Sequence, residues 1–276
     1  MSQVVVFPTQ IGSIQFELPD ADTAVIPGVR WGHVEAFPTP AYWACQVLAQ
    51  RFRGTPVAYR LGRSLVEEVG ACLLGGHGIP GHLGCAAFEH IRARGAFGER
   101  PTTEAQLAEW LTEPMQVNGR RVRYRFARQK AKYLATALPL ARAAPNVRVG
   151  RELRDWLISL PGVGYKTASW VARNWLDADD VAILDIHICR FGQSVGLFSR
   201  QMTVERHYRE MEARFLALCQ AMGVRAAELD AVIWKEMASS PKAVRHVVAY
   251  LEAPADVVAD ASSNGEPAEP MAAVLN

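Results

Sequence analysis

Leu160-Pro161-Gly162-Val163-Gly164-Tyr165-Lys166, followed after a short gap by Ile183-Leu184-Asp185-Ile186-His187, is the stretch on which the reading of this chain turns. Pro161 fixes one backbone angle, and two nearby glycines permit the positive φ values that a tight turn between helices requires. The flanking residues predict helices over Glu152 to Leu160 and Tyr165 to Trp175, with Lys166 just inside the second. Glycines also let backbone N–H groups approach a phosphate, at a helix N-terminus whose dipole favours an anion. Asp185 lies in an apolar stretch that opens a further helix, from about Ile186 to Val195. An amine and a carboxylate are thereby attached to a turn suited to phosphate.

The run resembles the helix-hairpin-helix DNA glycosylases, the superfamily of endonuclease III and the 8-oxoguanine DNA glycosylases. The likeness rests on Leu160 to Gly164, Lys166, Asp185, His187 and the trailing Arg190. It implies a mainly α, two-lobed helical fold with a short N-terminal β arm. It also implies a nucleophilic Lys166, a catalytic Asp185, phosphate contacts from the Gly162 and Gly164 amides and from His187, and a structural monovalent cation on the hairpin carbonyls. Each residue has a plainer use. A lysine can simply bind phosphate, an Asp can cap a helix, and a histidine can be buried and satisfied in a core.

Composition bounds the rest. The 276 residues are half hydrophobic, and the net charge is only +2, from 30 basic and 28 acidic residues. A nucleic-acid face must therefore come from local clustering rather than overall basicity. No apolar run reaches the roughly 18–20 residues of a membrane span, and no leader pattern opens the chain, so a soluble, cytoplasmic, nucleoid-associated monomer is expected. The five cysteines (Cys45, Cys72, Cys85, Cys189, Cys219) are scattered and read as reduced, buried thiols. Several relatives in the superfamily hold an iron–sulfur cluster on four closely spaced cysteines after the catalytic Asp. Here only Cys219 lies beyond the helix of Cys189, so that cluster cannot be built, and no metal site is expected.

Along the chain, residues 1–40 read as a β arm or extended segment, residues 41–252 as a helical domain with the hairpin at 152–176, and residues 253–276 as a disordered tail. Val4 to Phe7 and Ile14 to Leu18 flank a turn. Ser64-Leu65-Val66-Glu67 has the form of a capping box before a core helix. Asn118-Gly119 marks a turn, after which Arg120 to Lys132 holds seven basic residues in thirteen positions. Arg121, Arg125, Arg128 and Lys132 would form one stripe if helical. Alone this is a solvated helix face; beside a DNA-docking hairpin, Arg125 and Arg128 become candidates for phosphate contact.

Within the superfamily the chain is most similar to the compact archaeal-type 8-oxoguanine DNA glycosylase/lyases without an iron–sulfur cluster. That likeness covers roughly residues 60–240. It rests on Arg125-Phe126, Lys130-Ala131-Lys132-Tyr133, Gly164-Tyr165-Lys166, and Leu229-Asp230 with Ile233-Trp234. It implies that Phe126 and Trp234 sandwich a flipped base near Asp230, whereas residues of this kind alone would read as ordinary core. The Gly75 to Pro80 loop, with His77, is the candidate to fill the vacated stack. Trp170 stands where larger eukaryotic-type enzymes carry a cysteine. The implied activity is excision of an oxidised purine from damaged double-stranded DNA through a lysine Schiff base, followed by strand cleavage. Two other readings stay open at this point: an endonuclease III-like glycosylase for oxidised pyrimidines or a lyase for abasic sites, and a non-catalytic hairpin module that only binds DNA.

Overall fold

In the computed structural model, residues 1–9, 12–54, 59–76 and 78–240 are described, with Lys242, Val244, Arg245, Val247 and Ala249 beyond them. The chain opens with two antiparallel strand pairs, β1 (Gln3–Thr9) with β2 (Gly12–Leu18) and β3 (Ala24–Ile26) with β4 (Val29–Arg30). Helices α1 (Pro40–Phe52), α2 (Leu65–Leu74), α3 (Gly81–Arg92) and α4 (Glu104–Thr112) follow. A third antiparallel pair, β5 (Met115–Val117) and β6 (Arg120–Val122), precedes α5 (Ala127–Arg142), α6 (Gly150–Leu157) and α7 (Tyr165–Leu176). The described elements end with α8 (Ile186–Ser194), α9 (Val204–Met222) and α10 (Ala226–Ser239). The fold is mainly α, as the hairpin motif implied.

Two hydrophobic cores divide the molecule. One is contiguous in sequence, built from α2 to α7 around Leu74, Ile91, Leu107, Leu134, Leu157 and Val171. The other joins both ends of the chain: Val5, Leu18, Val29 and Trp31 pack with Trp43 of α1 and with Phe191, Phe215 and Leu229 of α8 to α10. The N-terminal strands are therefore part of a lobe. The chain crosses back between Val181, which belongs to the first core, and Ala182, which belongs to the second. Asp185 follows three residues after that crossing.

Local chemistry accounts for most boundaries. Ser64 caps α2 by accepting from the Glu67 N–H at 3.2 Å, but the Glu67 carboxylate takes the Arg63 N–H at 2.8 Å, so the expected reciprocal box is replaced by a neighbouring bond. Thr103 and Gln106 form a true reciprocal box at α4. Asp177 stops α7 in the left-handed region, with φ 53°.

The helical stripe of arginines is not formed. Asn118 and Gly119 both take positive φ, 50° and 74°, the geometry of the hairpin turns that match strand twist. Residues 115–117 consequently pair with 120–122, and α5 begins only at Ala127. Arg121 and Arg125 precede the helix; of the four, only Arg128 and Lys132 lie on it. Among the cysteines, all free, Cys72 and Cys219 are buried, Cys45 and Cys189 half-buried, and Cys85 is exposed on α3, which the expectation of buried thiols missed. The 253–276 tail and His77 lie outside the described residues.

Candidate active site at the helical hairpin

The turn between α6 and α7 holds two glycines for different reasons. Gly162 has φ +79°, and a Cβ there would stand 2.4 Å from Cγ of Tyr133 on α5, so a side chain is excluded by conformation and by space. Gly164 has ordinary extended backbone, φ −93°, and nothing within 4 Å of where a Cβ would go. It caps α7 without a side-chain acceptor, which leaves the first-turn amides for a group from outside. Lys166, half-buried, is the second residue of that helix.

Asp185 caps α8. Its Oδ1 accepts from the His187 N–H at 2.8 Å and the Ile188 N–H at 2.9 Å, and the residue is 7% exposed. Both bonds fall on one oxygen, so the cap orients the carboxylate and leaves Oδ2 without a hydrogen bond from a described residue. Capping and catalysis are compatible uses of this residue.

A buried network, not visible in the sequence, carries Asp185 to the hairpin. Arg154 of α6 donates twice from Nη1 to Glu212 of α9, at 3.0 and 2.8 Å, and Glu212 also accepts the Ala182 N–H at 3.0 Å. The Tyr208 hydroxyl donates to the Ala182 carbonyl at 2.6 Å, lies 3.2 Å from Ser169 Oγ on α7, and accepts the Leu184 N–H at 3.4 Å. Tyr165 stacks on Tyr208, with ring centroids 4.9 Å apart and planes 20° from parallel. The segment just before Asp185 is thus tied to both helices of the hairpin.

Electrostatic coupling puts the remaining groups in one cluster. Burial holds the His187 imidazole below its usual value; Asp185 opposes this, while Arg190 and Lys166 add to it. Its Nδ1 is buried with no hydrogen-bond partner among the described residues. Burial pushes the Asp230 carboxyl up to about 7, against the pull of Arg173, with Asp185 raising it and Lys166 lowering it. Arg173 Nη1 stands 3.2 Å from Asp230 Oδ2 but makes no hydrogen bond to it, and the guanidinium lies 4.3 Å over the Tyr59 ring. Lys166, Asp185, His187 and Asp230 are therefore brought together.

The two aromatic candidates flank the loop between α2 and α3. Phe126 caps α5, and its ring would lie 3.9 Å from a Cβ on Gly78; Trp234 of α10, 47% exposed, would lie 3.7 Å from one on Gly81. Two large rings, one from each lobe, thus each stand near a glycine of this segment. Trp170 packs on Gly75, 2.8 Å from where its Cβ would be, and Lys130 Nζ lies 3.5 Å from the Gly75 carbonyl, with burial lowering its pKa. Arg125 is exposed over the Phe126 ring at 5.2 Å. Arg128 turns away, bordering a shallow depression on α4 with Glu109 and Glu113. Arg154, Ser169, Tyr208, Glu212 and Arg173 are positioning residues that sequence reasoning missed.

With this geometry in place, comparison with known proteins is direct. The 8-oxoguanine glycosylase/lyase of Methanocaldococcus jannaschii, solved with a 15-mer DNA containing 8-oxoguanine, shares 21% identity over 75% of this chain and 94% of its own, with a TM-score of 0.50. The 8-oxoguanine DNA glycosylase of Thermotoga maritima shares 22% identity over 71% of this chain and 91% of its own, also with a TM-score of 0.50. These likenesses concern the fold. The family model for 8-oxoguanine DNA glycosylase matches residues 83–224, a little over half of the chain and including the hairpin, Lys166 and Asp185. The chain belongs to the helix-hairpin-helix family of 8-oxoguanine DNA glycosylases.

Proposed function

We propose that this protein excises 8-oxoguanine from double-stranded DNA and then cleaves the strand, with Lys166 as nucleophile. The supporting observation is that Lys166, at the uncapped start of α7, and Asp185, held by its own cap, both act on His187 and Asp230. A module that only binds DNA needs no such cluster. The neutral Lys166 amine attacks C1′ as the bond to the base breaks, and the base leaves with the electron pair and takes up a proton. Positive charge builds at the sugar, where the fixed Asp185 carboxylate stabilises it. The proton lost by the amine passes to O4′ as the C1′–O4′ bond opens, giving the protonated imine; removal of a C2′ proton to a base or water then expels the 3′ phosphate.

The flipped base fits between Phe126 and Trp234 beside Asp230. The phosphate falls to the amides around Gly162 and Gly164 and to His187, with Arg125 outside. The hairpin from Ile158 to Gly164 offers main-chain carbonyls and no carboxylate, a donor set that suits a weakly held monovalent cation bracing the turn. The protein acts as a monomer on chromosomal DNA. Among the described residues, no helix is long and apolar enough to cross a membrane.

The test is borohydride trapping on duplexes carrying 8-oxoguanine, thymine glycol, uracil or an abasic site. Wild type is expected to trap on 8-oxoguanine, and Lys166→Gln to abolish trapping. Trapping by Lys166→Gln at wild-type yield overturns the nucleophile, and preference for thymine glycol overturns the substrate.

A further inference from the structure

Residues 114–151 carry ten basic and no acidic residue, in a chain whose net charge is only +2. The rest of the molecule is net acidic, so positive charge is segregated onto one continuous stretch. The structure divides that stretch into pieces with different partners. Arg128 borders Glu109 and Glu113, Lys130 sits under the Gly75 carbonyl, and Arg142 donates to the Gly98 carbonyl. The side chains of Arg120, Arg121 and Arg123, all exposed, form no ion pair or hydrogen bond with a described residue.

Their presentation is specific. The strand ends at Val122, Arg123 and Tyr124 follow it, and Arg125 enters the turn before α5; burial alternates along them, with Arg121, Arg123 and Arg125 exposed, Tyr124 buried and Val122 half-buried. The inward side is anchored, since the buried Tyr124 hydroxyl donates to the Leu74 carbonyl at 2.6 Å. The β5–β6 ladder and its tight Asn118-Gly119 turn hold Arg120 and Arg121 at the strand start. The three arginines therefore put three positive charges on one exposed side within five residues, and the row ends over the Phe126 ring.

We propose that the β5–β6 hairpin and the row Arg121–Arg123–Arg125, with Arg120 at its head, form a second phosphate grip that holds the duplex to one side of the lesion. The α6–α7 hairpin takes the other contact. The two grips are linked through α5: Phe126 caps it, and Tyr133 two turns later packs on Gly162, about 10 Å along the helix. Arg120 lies six positions before Phe126, a reach of up to about 20 Å, or about six base-pair steps. The grip is indifferent to sequence and to the damaged base, because arginine contacts to phosphate carry no base information. It rests on the reading of the chain as a DNA-acting enzyme but not on which base is removed.

The experiment uses the full chain and duplexes carrying a non-cleavable abasic analogue, alongside undamaged duplexes, so failure to excise 8-oxoguanine would not enter the result. The flank on each side of the lesion is shortened in turn from twelve to three base pairs, and binding is measured against potassium chloride concentration. Wild type is expected to lose affinity when one particular flank is shortened, and hardly at all for the other. Arg120→Gln/Arg121→Gln/Arg123→Gln is expected to lose that flank dependence and to reduce the slope of log K against log salt by about 2 to 3, near 0.9 per phosphate contact. The corresponding triple Lys variant keeps the charge and should restore most of the slope. A Gln triple variant with a native circular dichroism spectrum and unchanged slope and flank dependence would overturn the proposal; so would equal dependence on both flanks that survives the substitutions. If the Gln variant misfolds, the Lys variant decides: loss of slope with charge retained overturns the grip.

Discussion

Two buried carboxylates lie on the seam between the lobes, each beside an arginine of the hairpin helices, and they are in opposite conditions. Glu212 on α9 accepts two bonds from Arg154 and one from the Ala182 N–H. Asp230 on α10 has Arg173 at 3.2 Å without a hydrogen bond, and burial pushes its carboxyl up to about 7. A buried charge is tolerated when its lone pairs are filled, and desolvation wins when they are not. Glu212 is thus part of the frame that positions Asp185. Asp230 accepts no hydrogen bond from a described residue and lies one helical turn before Trp234 on α10.

The largest effect should come from breaking the satisfied acid. Glu212→Ala strands Arg154, whose remaining carboxylate partner is Asp155, and is expected to cost about 3–5 kcal/mol; urea denaturation checks it, and a loss below about 1 kcal/mol would erase the contrast with Asp230. Asp230→Asn should be milder and depend on pH. The folded carboxyl titrates near 7 and the unfolded one near 3.8, so between those values the folded state holds the extra proton and wild-type stability falls as pH rises. The Asn variant lacks that loss and should gain on wild type by on the order of 2 kcal/mol between pH 5 and 8. A difference that stays flat across that range would mean the carboxyl ionises freely. It should also weaken binding of the flipped base. Tyr208→Phe sharpens the comparison with the least perturbation: it frees the Ala182 carbonyl and Leu184 N–H, costing about 1–2 kcal/mol. Single-turnover excision should slow by less than tenfold, because Asp185 keeps its cap.

The fold and the seating of Lys166 and Asp185 at helix starts were legible because they rest on local chemistry. Gly162 and Pro161 can make only a few kinds of turn, and Lys166 and Asp185 sit at fixed offsets from helix starts. The β5–β6 pair was misread because Arg121, Arg125, Arg128 and Lys132 satisfy a helical spacing as well as a strand-then-helix one. The positive φ of Asn118 and Gly119 decided between them, and dipeptides of this kind are strong hairpin signals when the flanks alternate. The flanks here are only three residues each, too short to show alternation. Arg154 and Glu212, 58 positions apart, or Arg173 and Asp230, leave no periodic trace. Such pairs are contacts of the finished fold, invisible until its elements meet.

The crossing at Val181–Ala182 bears on the order in which the molecule forms. The lobe of α2 to α7 closes on neighbours near in sequence, while the other must join residues 5–47 to residues 182–247. Contacts of short span form faster because less loop entropy is lost before they are made. During synthesis, the lobe carrying Lys166 can be complete while Trp31 and Trp43 still lack the α8 to α10 residues they pack on. The segment leading to Asp185 is fixed only when α9 arrives with Tyr208 and Glu212. Pulse-labelled hydrogen exchange should find amides of α2 to α7 protected before those of α8 to α10. Lys166 is thus seated before the segment that leads to Asp185, and the seam between the lobes belongs to the slower, longer-span part of folding.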